Sequence, residues 1–200
     1  MVDEVAGFVP VYKVIDLSAP EMAQTRRAIT LILTRHEPWP AFVLDRDWTV
    51  LAANDAAQRL VRLMLGESRM ARPMNLMRLF LAPDELRRHI VNWPAWAGAL
   101  LARARREAAA APDDAVLQSV VRDLVALADA DQLIAGEGAL SPEPLCELRF
   151  LSQSRALGLI PTTLAFATPA DPALAGLRIE AFLPSDDESE TLLLALAGGA

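Results

Sequence analysis

The hydrophobic pattern changes its period twice along the chain, and this limits the possible folds more than any other feature. A helical period over 22–35 gives way to two short β-prone runs at 41–44 and 48–53, separated by charged turn residues at 45–47. A long stretch of helical periodicity follows, and alternating runs return only in the last third of the chain. Strands grouped in this way predict an α+β fold with an antiparallel sheet, and not the alternating pattern of a parallel βαβ fold.

The predicted sheet has five strands, with a large helical insertion between the second and the third and a helix at the C-terminus. The last three strands are predicted at 145–152, 162–168 and 178–183, and the last helix begins near Asp186, where acidic residues suit the helix dipole. In the insertion, Asn54 is placed to cap a helix through its side-chain oxygen. The insertion is predicted to hold helices at 56–65, 75–81, 84–92 and 95–111, another that starts at 112–114, and a loop at 66–74.

Length and composition divide the chain into an arm and one domain. A chain of 200 residues can bury one sizeable core. Residues 1–20 contain Gly7, Pro10 and Pro20 and show no sustained helical period, so we expect an extended arm there and a single domain over 21–200.

The charge balance and the scarcity of metal-binding side chains exclude several function classes. There are 19 Lys and Arg residues against 26 Asp and Glu, a net charge of −7, which argues against a free-standing nucleic-acid binder. The single cysteine, Cys146, excludes an intrachain disulfide and a cysteine-based zinc site. The two histidines, His36 and His89, lie far apart in the sequence, so we predict neither a metal nor a cofactor.

The chain is rich in apolar residues but has no run long enough to cross a membrane. Mean hydropathy is +0.25 and 53% of residues are hydrophobic, yet the apolar runs fall far short of the roughly 18 to 20 residues that a span needs. The acidic start at Asp3 and Glu4 does not resemble a secretory signal, so we predict a cytoplasmic protein without membrane contact. The excess of apolar residues fits a hydrophobic cavity or a buried oligomer interface, although an alanine-rich helical core is the simpler explanation.

No catalytic constellation is present in the sequence, and we predict that the protein is not an enzyme. Motifs for nucleophilic serine, zinc proteases, phosphate loops and dinucleotides are all missing. The acidic pairs at 113–114 and 186–187 lie at predicted helix starts, where capping explains them better than acid–base catalysis. Cys146 has no histidine nearby in the sequence and fits a buried, inert thiol.

Aromatic residues gather around the first strands and the central helices. Two arginines and an asparagine, Arg87, Arg88 and Asn92, lie close to them in sequence, whereas the arginines of 103–106 are assigned to the solvated side of their helix. Such a set suits a cavity for an amphipathic ligand with an acid or amide head, although ordinary core packing is the simpler interpretation. The four tryptophans are Trp39, Trp48, Trp93 and Trp96.

Six segments carry a resemblance to a known family through their order and spacing rather than through any single motif. The segments are HEPWPAFVLDRDW (36–48), VLAAN (50–54), MNLMRL (74–79), IVNWPAW (90–96), TTLAFATP (162–169) and LRIEAFLP (177–184). Together they resemble the MmyB-like transcription regulator ligand-binding domain, a PAS-like sensor that follows an XRE-type helix-turn-helix. The similarity runs over residues 20–197.

The resemblance implies a PAS-like sheet covered on one face by the helical insertion, with a pocket between them. It implies a homodimer that senses a small hydrophobic or fatty-acyl-like effector and relays binding to DNA through a helix-turn-helix that this chain lacks; residues 5–12 resemble the connector from that module. We place the polar head of the effector at Arg87 or Asn92. The acyl tail is placed against Phe42, Trp48, Leu79, Trp96 and Phe166.

Two other functions remain open from the sequence. One is a PAS-like module for protein–protein interaction or dimerisation without a small ligand, in which the apolar surplus forms the dimer face. The other is an enzyme of a type that carries no recognised motif. The presence or absence of a cavity separates the sensor from the interaction module.

Overall fold

The protein forms an α+β domain whose elements follow the predicted order. The computed structural model describes residues 16–70, 73–128, 146–152, 155–166, 174 and 176–198, so most of the predicted arm lies outside the described residues. The helices are α1 (Ala23–His36), α2 (Asp55–Leu65), α3 (Glu67–Met70), α4 (Leu76–Leu81), α5 (Trp93–Ala110), α6 (Ala115–Leu127) and α7 (Asp187–Gly198). The strands are β1 (Ala41–Leu44), β2 (Val50–Ala53), β3 (Leu148–Ser152), β4 (Arg155–Ala165) and β5 (Arg178–Pro184).

The five strands form one antiparallel sheet in the order β2-β1-β5-β4-β3. β1 pairs with β5 so that Phe42 lies opposite Glu180, and β4 pairs with β5 over its whole second half. The predicted fold class is therefore confirmed, with its sheet, its insertion between β2 and β3 and its C-terminal helix.

Side-chain alternation along the strands gives the sheet two buried faces. On β1, Phe42 and Leu44 join the large core beneath α2, α4, α5 and α6, whereas Ala41 and Val43 join a smaller core that packs on α1. All four residues of β1 are buried, as expected for a strand covered on both sides. The large core is the one that faces the insertion, and it contains the candidate site.

Side-chain caps fix where the insertion helices begin. The Asn54 carboxamide oxygen accepts hydrogen bonds from the amides of Ala57 (3.0 Å) and Ala41 (2.9 Å), so this buried residue caps α2 and also ties it to β1. Asp114 accepts from the amide of Leu117, and Asp186 from that of Ser189. The capping interpretation of both acidic pairs is therefore confirmed.

The largest differences from the predicted elements lie in the insertion and at the start of β4. The loop expected at 66–74 contains the short helix α3, and the helix expected at 84–92 is only a 3-10 turn at Leu86–His89. β4 begins at Arg155, seven residues before the predicted start at 162. In the described part of the chain, no helix has the length and apolarity that a membrane span requires.

Candidate functional site

A cavity of about 280 Å³ lies between the inner face of the sheet and the insertion. Its walls are mostly apolar, with charged groups from α5 and β5 at one side. Its lining includes Leu44 and Phe182 from the sheet, Leu76, Met77 and Phe80 from α4, Trp48, Cys146 and Pro161 from loops and β4, Trp96, Ala99 and Leu100 from α5, and the charged residues Arg103, Arg106 and Glu180. Cys146 is half-buried at this wall, and not fully buried as the sequence suggested.

Trp48 reaches the cavity from a strained turn before β2. Its φ is 64°, a left-handed conformation that bulky side chains rarely adopt. The turn is held by backbone hydrogen bonds from Trp48 to Asp45 (3.0 Å) and from Leu76 to Trp48 (2.9 Å). The side chain of Asn75 also donates to the carbonyl of Asp47 (2.6 Å). These contacts keep the indole, which is only 1% exposed, at the wall of the cavity.

A partly buried ion-pair network includes two of the charged residues that line the cavity, Arg103 and Glu180. The Arg103 guanidinium makes two hydrogen bonds with the Glu180 carboxylate (2.5 and 3.1 Å) and another with Glu107 (2.8 Å). Arg178 pairs with Glu107 (3.2 Å), and its guanidinium carbon lies 5.3 Å from the centre of the Trp48 ring. The network therefore links α5, β5 and the Trp48 turn.

The network sets the proton affinity of its members. Burial acts to lower the pKa of Arg103, but the hydrogen bonds and negative charges of Glu180 and Glu107 outweigh it, and the pKa is raised. For Arg178, burial dominates and lowers the pKa despite the attraction of Glu107. Both groups stay charged near neutral pH, because guanidinium side chains are not deprotonated in proteins. Arg103 therefore presents a fixed positive charge at the cavity.

Sequence comparison assigns this architecture to a family. The model of the MmyB-like transcription regulator ligand binding domain matches residues 25–196, a range that includes the sheet, the insertion and nearly all of α7. The chain belongs to this family. It is a family of regulatory ligand-binding domains and not of enzymes, so this MmyB-like domain is a ligand-sensing part of a transcription regulator. None of the proteins with curated functions matches the sequence.

The structure brings together two of the residues that the sequence proposed for the acyl tail. Trp48 and Trp96 of the MmyB-like domain both line the cavity. Phe42 and Leu79 are buried in the same core but are not at the cavity wall, and the Phe42 ring meets Phe182 edge-on at 6.2 Å. Phe166 packs with the smaller core on the other face of the sheet. Of the five residues proposed for the tail, two therefore lie at the cavity wall, two lie in the core behind the wall, and one lies on the other face of the sheet.

Neither residue proposed for the polar head lies at the cavity. The Arg87 guanidinium stacks on the Trp93 ring, 3.6 Å from its centre. The Asn92 side chain donates to the carbonyl of Glu147 (2.7 Å) and accepts from the amide of Arg149 (3.1 Å). Asn92 therefore binds the backbone at the start of β3 and attaches it to the insertion.

The polar groups that line the cavity were not among the proposed site residues: the two arginines were assigned to the solvated side of α5, where Arg106 is indeed exposed, and Glu180 was only placed on a strand. Arg103 and Arg106 lie seven and ten residues after Trp96 on α5, spacings that return to the same face of a helix. Glu180 and Phe182 are two residues apart on β5, so their side chains share the inner face of the sheet. Helical and strand periodicity could have found all three, had they been applied to the charged residues as well as to the apolar ones.

Substituting Asn92 by alanine should destabilise β3 rather than remove a ligand contact. The change deletes two hydrogen bonds to backbone groups, and we expect a loss of about 1–2 kcal/mol in the free energy of unfolding. Urea denaturation measures the loss, and faster amide hydrogen exchange at Arg149 locates it. Asp84→Ala, at an exposed position near the same turn, is the control and should change stability by less than about 0.5 kcal/mol. Unchanged exchange at Arg149 would contradict the role given to Asn92.

Proposed function

We propose that this MmyB-like domain binds a small hydrophobic or fatty-acyl-like effector in the cavity beneath the insertion. The observation that carries the proposal is the cavity itself, which is walled mostly by apolar residues such as Trp48, Trp96 and Phe80 and is also lined by the charged residues Arg103, Arg106 and Glu180. An apolar pocket with a few polar groups is the usual form of a small-molecule site. Its volume is near the lower limit of the common range of roughly 300–1,000 Å³, which favours a chain of medium length.

The position of Arg103 and Arg106 supports an effector whose acidic or polar head group lies beside α5. The charge of Arg103 is already balanced by Glu180 and Glu107. Arg106 is exposed beside it and makes no ion pair within the described residues, so it is the better partner for an anionic head. In this proposal, Arg106 takes the role that the sequence gave to Arg87 or Asn92.

The network around the cavity offers a route for relaying ligand binding. α5 supplies Trp96, Ala99 and Arg103 to the cavity, and Arg103 ties this helix to β5 through Glu180. A ligand that binds one arrangement of α5 more tightly than another shifts the equilibrium of the domain toward that arrangement. We propose that the domain is a PAS-like sensor, that it acts as a cytoplasmic homodimer, and that a helix-turn-helix module reads the shift at DNA.

Native mass spectrometry and thermal shift test the proposal directly. We expect a small apolar molecule to co-purify with the domain, and octanoate to raise the melting temperature more than palmitate at equal concentration. Arg106→Gln should weaken octanoate binding several-fold, whereas Arg105→Gln, an exposed neighbour outside the cavity lining, should not. An apo protein that shows no shift with either acid would overturn the effector proposal, and a dimerisation module would then be the better function.

A further inference from the structure

We infer that two copies of this chain pair through α7, with the two α7 helices antiparallel across a twofold axis. The inference rests on the homodimer of the proposed function and names the surface that forms it. This surface, the α7 face, combines Glu188 of the first helical turn with five of the residues that border a groove of about 450 Å³. The five are Leu63 of α2, Arg155 of β4, and Leu192, Ala195 and Leu196 of α7.

The last two turns of α7 carry no charge, although the helix lies at the surface of the domain. Residues 191–198 contain no acidic or basic side chain, and Leu193 is the only one of them that is buried. Leu194 is 51% exposed, and Leu63 beside the groove is 45% exposed. A surface helix normally turns charged and polar residues to the solvent, so a group of exposed leucines on such a helix indicates a surface that another molecule covers.

The two ends of the α7 face carry opposite charges. Glu188 shares a side of the helix with Leu192 and Ala195, because it precedes them by four and seven residues. Arg155 borders the same groove as Ala195 and Leu196, which lie about 10–12 Å further along the helix axis. Glu188 and Arg155 are both exposed, and neither makes an ion pair within the described residues. The face is therefore acidic where α7 begins and basic near its end.

A second copy of the chain matches this distribution of charge. In a twofold interface the same surface meets itself, so every contact between two different residues is made twice. With antiparallel α7 helices, the acidic end of one face lies opposite the basic end of the other, and Glu188 pairs with the partner's Arg155. Parallel helices would bring like charges together, which is unfavourable. A free fatty acid in the groove would use the charge of Arg155 and leave that of Glu188 without a role.

Reversing the two charges tests the antiparallel arrangement, with the dimer dissociation constant of the full chain measured by sedimentation equilibrium. We expect Arg155→Glu to weaken pairing at least about tenfold, because two symmetry-related attractions become repulsions. Glu188→Arg should have a similar effect, and the combination of both changes should restore the wild-type constant to within about threefold. Arg122→Glu, at an exposed position on α6, is the control and should leave pairing unchanged.

A charge in the apolar part of the face tests the surface itself. Ala195 is exposed, so Ala195→Arg should keep the fold, as circular dichroism would show, and weaken pairing by at least about tenfold. Ala109→Arg, at an exposed position on α5, should not. Failure of the charge exchange to restore pairing would overturn the antiparallel arrangement. A dimer that neither Arg155→Glu nor Ala195→Arg weakens would overturn the inference and leave a homodimer through another surface. A monomeric wild-type chain would overturn the homodimer as well, whereas octanoate binding by the same sample decides the effector proposal separately.

Discussion

Glu180→Ala is expected to lower the free energy of unfolding by about 3 kcal/mol, the lower end of the range for breaking a buried ion pair. Glu180 is 4% exposed and accepts two hydrogen bonds from Arg103 and one from Thr163 (3.1 Å). Its removal leaves Glu107 as the acid that pairs with both Arg103 and Arg178. The remaining acid is the reason to expect the lower end. Chemical denaturation of the purified domain measures the change.

A double-mutant cycle and a control separate the ion pair from other effects. Arg103→Ala combined with Glu180→Ala should cost less than the sum of the two single changes, with a coupling energy of about 1–3 kcal/mol. Glu190→Ala removes an exposed acid from α7 and should change stability by less than about 0.5 kcal/mol. A coupling energy near zero would contradict the assigned role of the pair, whatever the single variants show.

The fold could be predicted from the sequence wherever local signals agree with the tertiary structure. The apolar run of β1 between Pro40 and the charged turn at 45–47 is an example, and so is the Asn54 cap. β4 was predicted to start too late because the residues before 162 include Gly158 and Pro161, which normally interrupt strands. Pro161 is tolerated because β3 pairs with β4 only as far as Leu159, so no ladder partner on that side needs the missing N–H.

The candidate site was harder to predict because residues were assigned to it from their closeness in sequence to the tryptophans, and not from the direction of their side chains. Arg87 and Asn92 lie close to Trp93 in the chain, and the structure uses them for a cation–π contact and for anchoring β3. The residues that share the cavity come from elements far apart in sequence, such as Trp48 and Glu180. Periodicity indicates that Arg103 and Glu180 each share a face with apolar residues of the cavity, and the structure shows that the two are paired there.

Filling the cavity with an indole should abolish effector binding without unfolding the domain. Ala99 lies on α5 between Trp96 and Arg103 and lines the cavity, so Ala99→Trp places a large apolar side chain in the proposed binding volume. We expect octanoate to bind at least about tenfold more weakly, with stability changed by less than the roughly 1–3 kcal/mol that overpacking a filled core costs. Calorimetric titration and denaturation of the same sample measure the two quantities.

Ala109→Trp is the matched control, because Ala109 is exposed on the same helix and outside the cavity lining. It should leave both octanoate binding and stability close to wild type. Octanoate binding that survives Ala99→Trp would place the ligand elsewhere, and the groove bordered by Leu63, Leu157 and Leu192 would be the next candidate. A full overpacking penalty would instead show that the space beside Ala99 cannot accept a ligand. Loss of binding in a stable Ala99→Trp domain requires both an available cavity and a ligand that occupies it.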